Sequence, residues 1–180
     1  MAKVTSGNLY LRKTITQNGS SMVEESIDLS SFVNLPQGEC LRIKQVWFEW
    51  TTDNFGTING TDIGASGAAQ GASISGQITT TSRAALGVVS FESAGCVAKN
   101  NLYAHIDATA NIDMITQDSG LNPYDFSDGY IVAVDTLYFG CKGSTVDLWA
   151  DDLNMTCLIE CETVKLSEKD AIALAVGQTL

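Results

Sequence analysis

Apolar and polar residues alternate with period two along most of this chain, the pattern of strands buried on one face. Leu9, Leu11 and Ile15 alternate with Tyr10, Arg12 and Thr14, which predicts a first strand ending at an Asn18-Gly19 turn. A second extended piece covers 23–29, and Pro36-Gln37-Gly38 marks a turn before the most telling stretch, 41–50. There Leu41, Ile43 and Trp47 line one face against Arg42 and Lys44, but Val46, Phe48 and Trp50 then make the second face apolar as well. Such a strand is either bulged or covered on both sides. In a chain without helices to cover an outer face, a neighbouring subunit is a natural cover, which makes Val46, Phe48 and Trp50 candidate subunit-contact residues.

Further extended segments are expected at 73–80, 87–91, 102–107 and 111–116. Residues 130–140 are apolar on both faces, with Val132 and Val134 on one and Ile131, Leu137 and Phe139 on the other, and read as one central strand. A strand at 146–149 follows the Lys142-Gly143-Ser144 turn, and the last strand, 153–164, turns Leu153, Met155, Cys157, Ile159 and Cys161 inward. About ten short strands separated by turns favour an all-β antiparallel sandwich or barrel over an alternating βαβ fold. The length, 180 residues, is that of a single domain spanning 1–180.

Two segments depart from the alternation. Residues 56–80 are rich in Gly, Ala, Ser and Thr and read as a long flexible loop or loosely specified edge, open to ordering by a partner. At the other end, Ser167-Glu168-Lys169-Asp170 resembles a capping box, and the apolar run from Ala171 to Val176 continues it as a helix over 167–177. A helix this short does not stand alone in water, so it must dock on its own sheet or on a neighbour. Ile172, Leu174 and Val176 are accordingly candidate contact residues, and deleting 167–180 is expected to impair assembly more than folding.

Charge narrows the partners. Only 17% of residues are charged and the net charge is -11, which argues against a nucleic-acid-binding face. From Asp107 to Asp170, thirteen acids face only Lys142, Lys165 and Lys169, a solvated surface or, where acids converge, a divalent-cation surface. No apolar run reaches membrane-spanning length, and the N-terminal residues lack a signal-peptide core, so the chain is expected to be made in a cytoplasm. The five cysteines (Cys40, Cys96, Cys141, Cys157, Cys161) show no zinc spacing and read as small buried hydrophobes.

Catalytic equipment is missing. His105 is the lone histidine, placed on the face opposite Leu102, Ala104 and Ile106, and no nucleophile motif or phosphate loop accompanies it, so no enzyme activity is expected. Asp118, Asp125 and Asp128 are weak candidate Ca²⁺ ligands in a turn-rich stretch without the EF-hand spacing; no other cofactor is expected. Adjacent acids such as Asp151 and Asp152 do not make a glycosidase pair, which needs a defined separation across a cleft. The sequons at Asn18, Asn59 and Asn154 read as chance matches. Trp47, Trp50 and Trp149 offer a carbohydrate platform only if they share a face, and Trp47 and Trp50 have opposite parity, so core packing is the better account of at least one.

The order of these segments, with Ile27-Asp-Leu-Ser-Ser-Phe-Val33 ahead of the 41–50 strand, small-residue loops, further strands and a closing Leu166-Ser-Glu-Lys-Asp-Ala-Ile-Ala-Leu-Ala175, resembles the small single jelly-roll capsid proteins of tailless icosahedral DNA viruses of archaea and bacteria. The resemblance is one of pattern and length over most of the chain, without a diagnostic motif. It implies an eight-stranded single jelly roll with a short C-terminal helix, self-assembling into an icosahedral shell in the virion, alone or with a second coat protein, with no enzyme activity, no cofactor and no direct nucleic-acid contact. The other readings are a non-catalytic β-sandwich binding module, such as a phage fibre tip or carbohydrate-binding protein, an enzyme on a jelly-roll scaffold, and a surface-layer or filament protein.

Overall fold

Ten strands make up almost all of the regular structure in the computed structural model, which describes residues 3–17, 19–52, 54–63, 70–144 and 149–179. In chain order they are β1 (Lys3–Val4), β2 (Leu9–Gln17), β3 (Val23–Asp28), β4 (Glu39–Thr52) and β5 (Gln70–Thr79), then β6 (Cys96–Ile106), β7 (Ile112–Leu121), β8 (Tyr130–Val132), β9 (Thr136–Gly143) and β10 (Leu153–Lys165). A one-turn helix α1 (Gly60–Ile63) precedes β5, and α2 (Glu168–Thr179) closes the chain. Among the described residues no helix is long and apolar enough to cross a membrane.

The strands form two five-stranded antiparallel sheets. The first runs β2-β10-β4-β8, with β1 continuing the line of β2 along β10, and the second runs β3-β9-β5-β6-β7. From β2 to β5 each successive strand crosses to the opposite sheet; β5, β6 and β7 stay together, and β8, β9 and β10 cross again. This is the double Greek-key order of a jelly roll, with β7 added at one edge and β1 at another. A single apolar core lies between the sheets, drawing Ile15, Leu41, Ile43, Met155 and Ile159 from the first and Ile74, Ile78, Leu102, Leu137 and Phe139 from the second.

The double apolar character of 41–50 has a local cause. On β10, Glu160 is opposite Gln45 and Cys161 is opposite Ile43, so Lys44 has no opposite number and forms a bulge. One extra residue reverses the parity of the strand. Leu41 and Ile43 before the bulge, and Val46, Phe48 and Trp50 after it, therefore all turn to the same inner side, where Val46 is 1% exposed. The expectation of Val46, Phe48 and Trp50 as subunit contacts is thus corrected: they pack in this subunit's own core, and Trp47 is the aromatic left outside, at 40% exposure.

The small-residue segment is also corrected in part. Its second half is β5, which contains most of the extended segment expected at 73–80 and lies as an interior strand between β9 and β6 rather than in a loop or at a sheet edge. Small residues serve there because the facing sheet presses on them: a Cβ at Gly76 would collide with Sδ and Cε of Met155 on β10. Residues 64–69 of that segment, Asn18 of the first turn and 146–148 of the expected 146–149 strand lie outside the described residues. Residues 130–140 are two strands, not one, because the chain leaves the first sheet at Val132 and enters the second at Thr136. Residues 87–91 form no strand; they are tied by Gln77, whose Oε1 accepts from the Val89 N–H at 2.7 Å.

α2 begins as the capping pattern predicts, with the Asp170 N–H donating to Ser167 Oγ at 3.2 Å and that hydroxyl donating to Asp170 Oδ2 at 2.6 Å. It docks on its own subunit. Ala171, Leu174 and Ala175 pack with Cys40, Val164 and Ala133 over one end of the first sheet's outer face. Gln178 fixes the far end, its Oε1 accepting from Ala133 N–H at 2.9 Å and its Nε2 donating to Ile131 O at 2.6 Å. Removing 167–180 would uncover this second apolar cluster, so the deletion also bears on the fold of the subunit itself.

Candidate functional site

Three strands of the first sheet present a regular outer surface beside α2. The register aligns Arg12 of β2, Leu158 of β10 and Trp47 of β4 in one transverse row. Thr14, Thr156 and Glu49 form the row on one side, and Tyr10, Glu160 and Gln45 the row on the other. Thr14 and Thr156 share a hydroxyl–hydroxyl hydrogen bond of 2.8 Å, and Lys44 Nζ lies 3.5 Å from Glu160 Oε1, so the flanking rows are partly satisfied within the subunit. Phe55 stands at the rim of this surface, 67% exposed, with φ 58 in the left-handed region that bulky side chains avoid. The Arg12–Leu158–Trp47 and Thr14–Thr156–Glu49 rows line a shallow cleft of about 390 Å³ together with Phe55.

A second cleft, of about 590 Å³, opens where the β7–β8 connection passes the bulged end of β4. Arg42 and Lys44 line it with Tyr124, Phe126, Asp128 and Glu162. Arg42 Nε donates to Glu162 Oε1 at 2.7 Å and Nη2 donates to the same oxygen, so the charges of this largely covered pair are matched. Tyr124 and Phe126 remain exposed on the wall.

Other exposed apolar groups lie elsewhere on the molecule. Met114 and Ile115 point to opposite faces of the edge strand β7, and both are exposed. Ile172 and Val176 lie on the solvent side of α2, while Leu174, the third residue expected there to make a contact, turns into the subunit. Leu86, Val88 and Phe91 are exposed in the β5–β6 connection.

The remaining sequence candidates take structural places. Asp125 closes a capping box with Asn122 at the 3-10 turn Pro123–Asp125, Asp118 sits on β7 opposite Asn101, and Asp128 lines the second cleft. Among the described residues no group of three or more His, Cys, Asp and Glu side chains is placed to hold a metal ion. His105 Nδ1 lies 2.8 Å from Asp113 Oδ1 on the exposed side of the β6–β7 pair. Trp149 is buried and Trp50 turns inward with its Nε1 donating to Asn100 Oδ1 at 2.7 Å, so the tryptophans form no platform. All five cysteines are buried and free, and burial pushes the Cys141 and Cys157 thiols up to about 12.

Phe55, Tyr124 and Phe126 are surface residues that sequence reasoning missed. All three sit in connections where period two carries no information, and only their aromatic character in a polar, turn-rich context marked them.

No protein-family model matches this chain, and neither does any curated protein. Among solved structures it is similar to the VP1 of Trichodysplasia spinulosa-associated polyomavirus, with a TM-score of 0.46 and 10% identity over 91% of this chain and 99% of that one. It is also similar to Merkel cell polyomavirus VP1 in complex with 3'-sialyllactosamine, with a TM-score of 0.44 and 9% identity over 92% and 99%. The unassembled pentamer of Merkel cell polyomavirus VP1 gives a TM-score of 0.39 and 11% identity over 92% and 99%. These superpositions are loose, and the jelly-roll assignment stands on the strand order of the chain itself.

Proposed function

We propose that this chain is a structural subunit that assembles with copies of itself into the icosahedral shell of a virus, alone or with a second coat protein, and resides in the virion. The observation that carries this reading is the distribution of exposed apolar side chains over separate sides of one jelly roll. Trp47 lies on the first sheet with Phe55 at its rim, Met114 and Ile115 on the β7 edge, Tyr124 and Phe126 beside the second cleft, and Ile172 and Val176 on α2. Grouped apolar exposure marks surfaces that are covered by partners. A module with one ligand needs one such surface, whereas a shell subunit touches several neighbours at once. The tryptophans, turned to the core in two cases of three, do not offer the ligand platform that would favour a binding module.

A binding module is the second reading, favoured by the second cleft, where two exposed aromatics stand among a guanidinium and carboxylates as in many sites that hold polar ligands. Negative-stain electron microscopy of the purified protein over a range of concentrations, with and without Ca²⁺, separates the two. Closed shells, sheets or regular rings are expected. Isolated monomers or trimers under every condition, also after mixing with any coat protein produced alongside it, would overturn the shell reading in favour of the module.

A further inference from the structure

The outer face of the first sheet is covered at one end by α2 and bare beyond it, and one row of the bare part has a left–right composition that fits itself. The row Arg12–Leu158–Trp47 sets a cation at one side, a leucine at the centre and an aromatic at the other side. Lys13, Arg42 and Lys44 nearby each have a carboxylate partner within the subunit, but Arg12 has no ion pair among the described residues. Trp47 remains exposed at the far end of the same row, and Phe55 is held out beside it by a left-handed backbone.

We infer that this face packs against the same face of a second copy of the chain, about a two-fold axis running along β10. This rests on the shell-subunit reading and names one of its contacts. A two-fold axis parallel to the central strand keeps each transverse row opposite its own equivalent and reverses it from side to side. The leucines then meet at the axis, and each Arg12 comes to lie over the second copy's Trp47. Sheets pack face to face at about 10 Å, a gap that an arginine crosses to bring its guanidinium within about 6 Å of an indole ring. Glu49 lies two residues along the strand from Trp47 and on the same face, so the incoming cation also meets a carboxylate. Charge makes the pairing specific: the chain carries -11, its copies repel over most of their surface, and an unpaired cation facing an electron-rich ring beside an acid relieves that repulsion locally.

The test is a residue swap in the full chain, with association read by sedimentation velocity across a concentration series and folding by circular dichroism. Arg12→Glu sets a carboxylate against the second copy's ring and Glu49, and Trp47→Arg sets two cations together; each is expected to weaken association by about tenfold or more. The double variant R12W/W47R restores a cation opposite an aromatic and is expected to recover association to within about threefold of wild type. Folded single variants that associate as the wild type does, or a folded double variant that stays as weak as the singles, overturn the inference and leave the shell reading standing. Should Trp47→Arg or the double variant fail to fold, Arg12→Glu, a change at an exposed position, is read alone: weakened association supports the contact and unchanged association overturns it. A wild-type chain that is monomeric at every concentration overturns the contact and leaves the shell reading to the mixing experiment with a second coat protein.

Discussion

The side-chain amide of Asn122 pairs with Val46 as a neighbouring strand would, accepting from its backbone N–H at 3.2 Å and donating to its carbonyl at 2.6 Å. β8 covers β4 only from Leu41 to Ile43, so beyond that point the β4 edge has to find other partners. Asn122 supplies one and Gln117 another, its Nε2 donating to Phe48 O at 3.1 Å. Replacing Asn122 by Leu leaves both Val46 groups without that partner and is expected to cost about 1–3 kcal/mol. Urea unfolding would show this as a lower midpoint at unchanged slope; an unaltered midpoint would mean that water replaces the amide without loss.

Deleting Lys44 should be far more damaging than mutating it. The deletion removes the bulge, so Val46, Phe48 and Trp50 rotate to the outside and Trp47 and Glu49 to the core. We expect no soluble folded protein from the deletion. Lys44→Ala loses only a partly exposed ion pair and should stay within about 1 kcal/mol of wild type by thermal or chemical unfolding.

Gly76 and Met155 are expected to be coupled. Gly76→Val forces a side chain into the space of the Met155 thioether and should destabilise by about 1–3 kcal/mol. Met155→Ala in the same chain opens that space, so the double variant should be less destabilised than the sum of the two single changes. Additive losses in a double-mutant cycle would show that the sheets move apart rather than clash.

Thiol reactivity reports on the C-terminal helix. The five thiols are buried, with those of Cys141 and Cys157 pushed up to about 12 and that of Cys161 to about 11 by burial. A disulfide reagent should find none of them in the folded chain and all of them in denaturant. Ending the chain at Leu166 uncovers Cys40, which packs beneath α2, and should give one early-reacting thiol together with a lowered unfolding midpoint.

Asp107 should titrate unusually low. Its Oδ1 accepts from Thr109 Oγ1 at 2.7 Å, Asn111 N–H at 3.0 Å and Thr109 N–H at 2.8 Å, and these bonds hold its pKa at about 2 against an ordinary 3.8. A carboxyl lowered by folding favours the folded state above its ordinary value, and that contribution is lost as the pH falls through about 2. The carboxyl carbon of Asp107, followed by NMR, should therefore shift with a midpoint near 2, and one near 3.8 would show that the turn is open in solution.

The sandwich and most of its strands were legible because period two is a local property, and 9–17 or 153–164 announce themselves without reference to any other segment. What remained hidden depends on residues far away in sequence. Lys44 looks like any outward polar residue, and only the match of Gln45 with Glu160 and Ile43 with Cys161 reveals it as the extra one. The alternation visibly breaks at Val46, yet the sequence offers a bulge and a covered face on equal terms. β5 was legible only as the extended segment 73–80 inside a small-residue stretch, because its partner in close packing, Met155, lies on another strand. Residues 130–140 hide a crossing between sheets because Ala133, Val134 and Asp135 carry no glycine or proline to mark it. For the candidate surfaces, Ile172 and Val176 fall on the exposed side of their helix and Leu174 on the packed side, while the Arg12–Leu158–Trp47 row exists only once three strands are in register.

The five buried thiols also bear on where this protein can keep its shape. They are free in the folded chain and pack as small apolar groups, so none of its covalent links depends on the redox poise around it. A chain built this way folds in a reducing compartment and meets an oxidising one without rewiring.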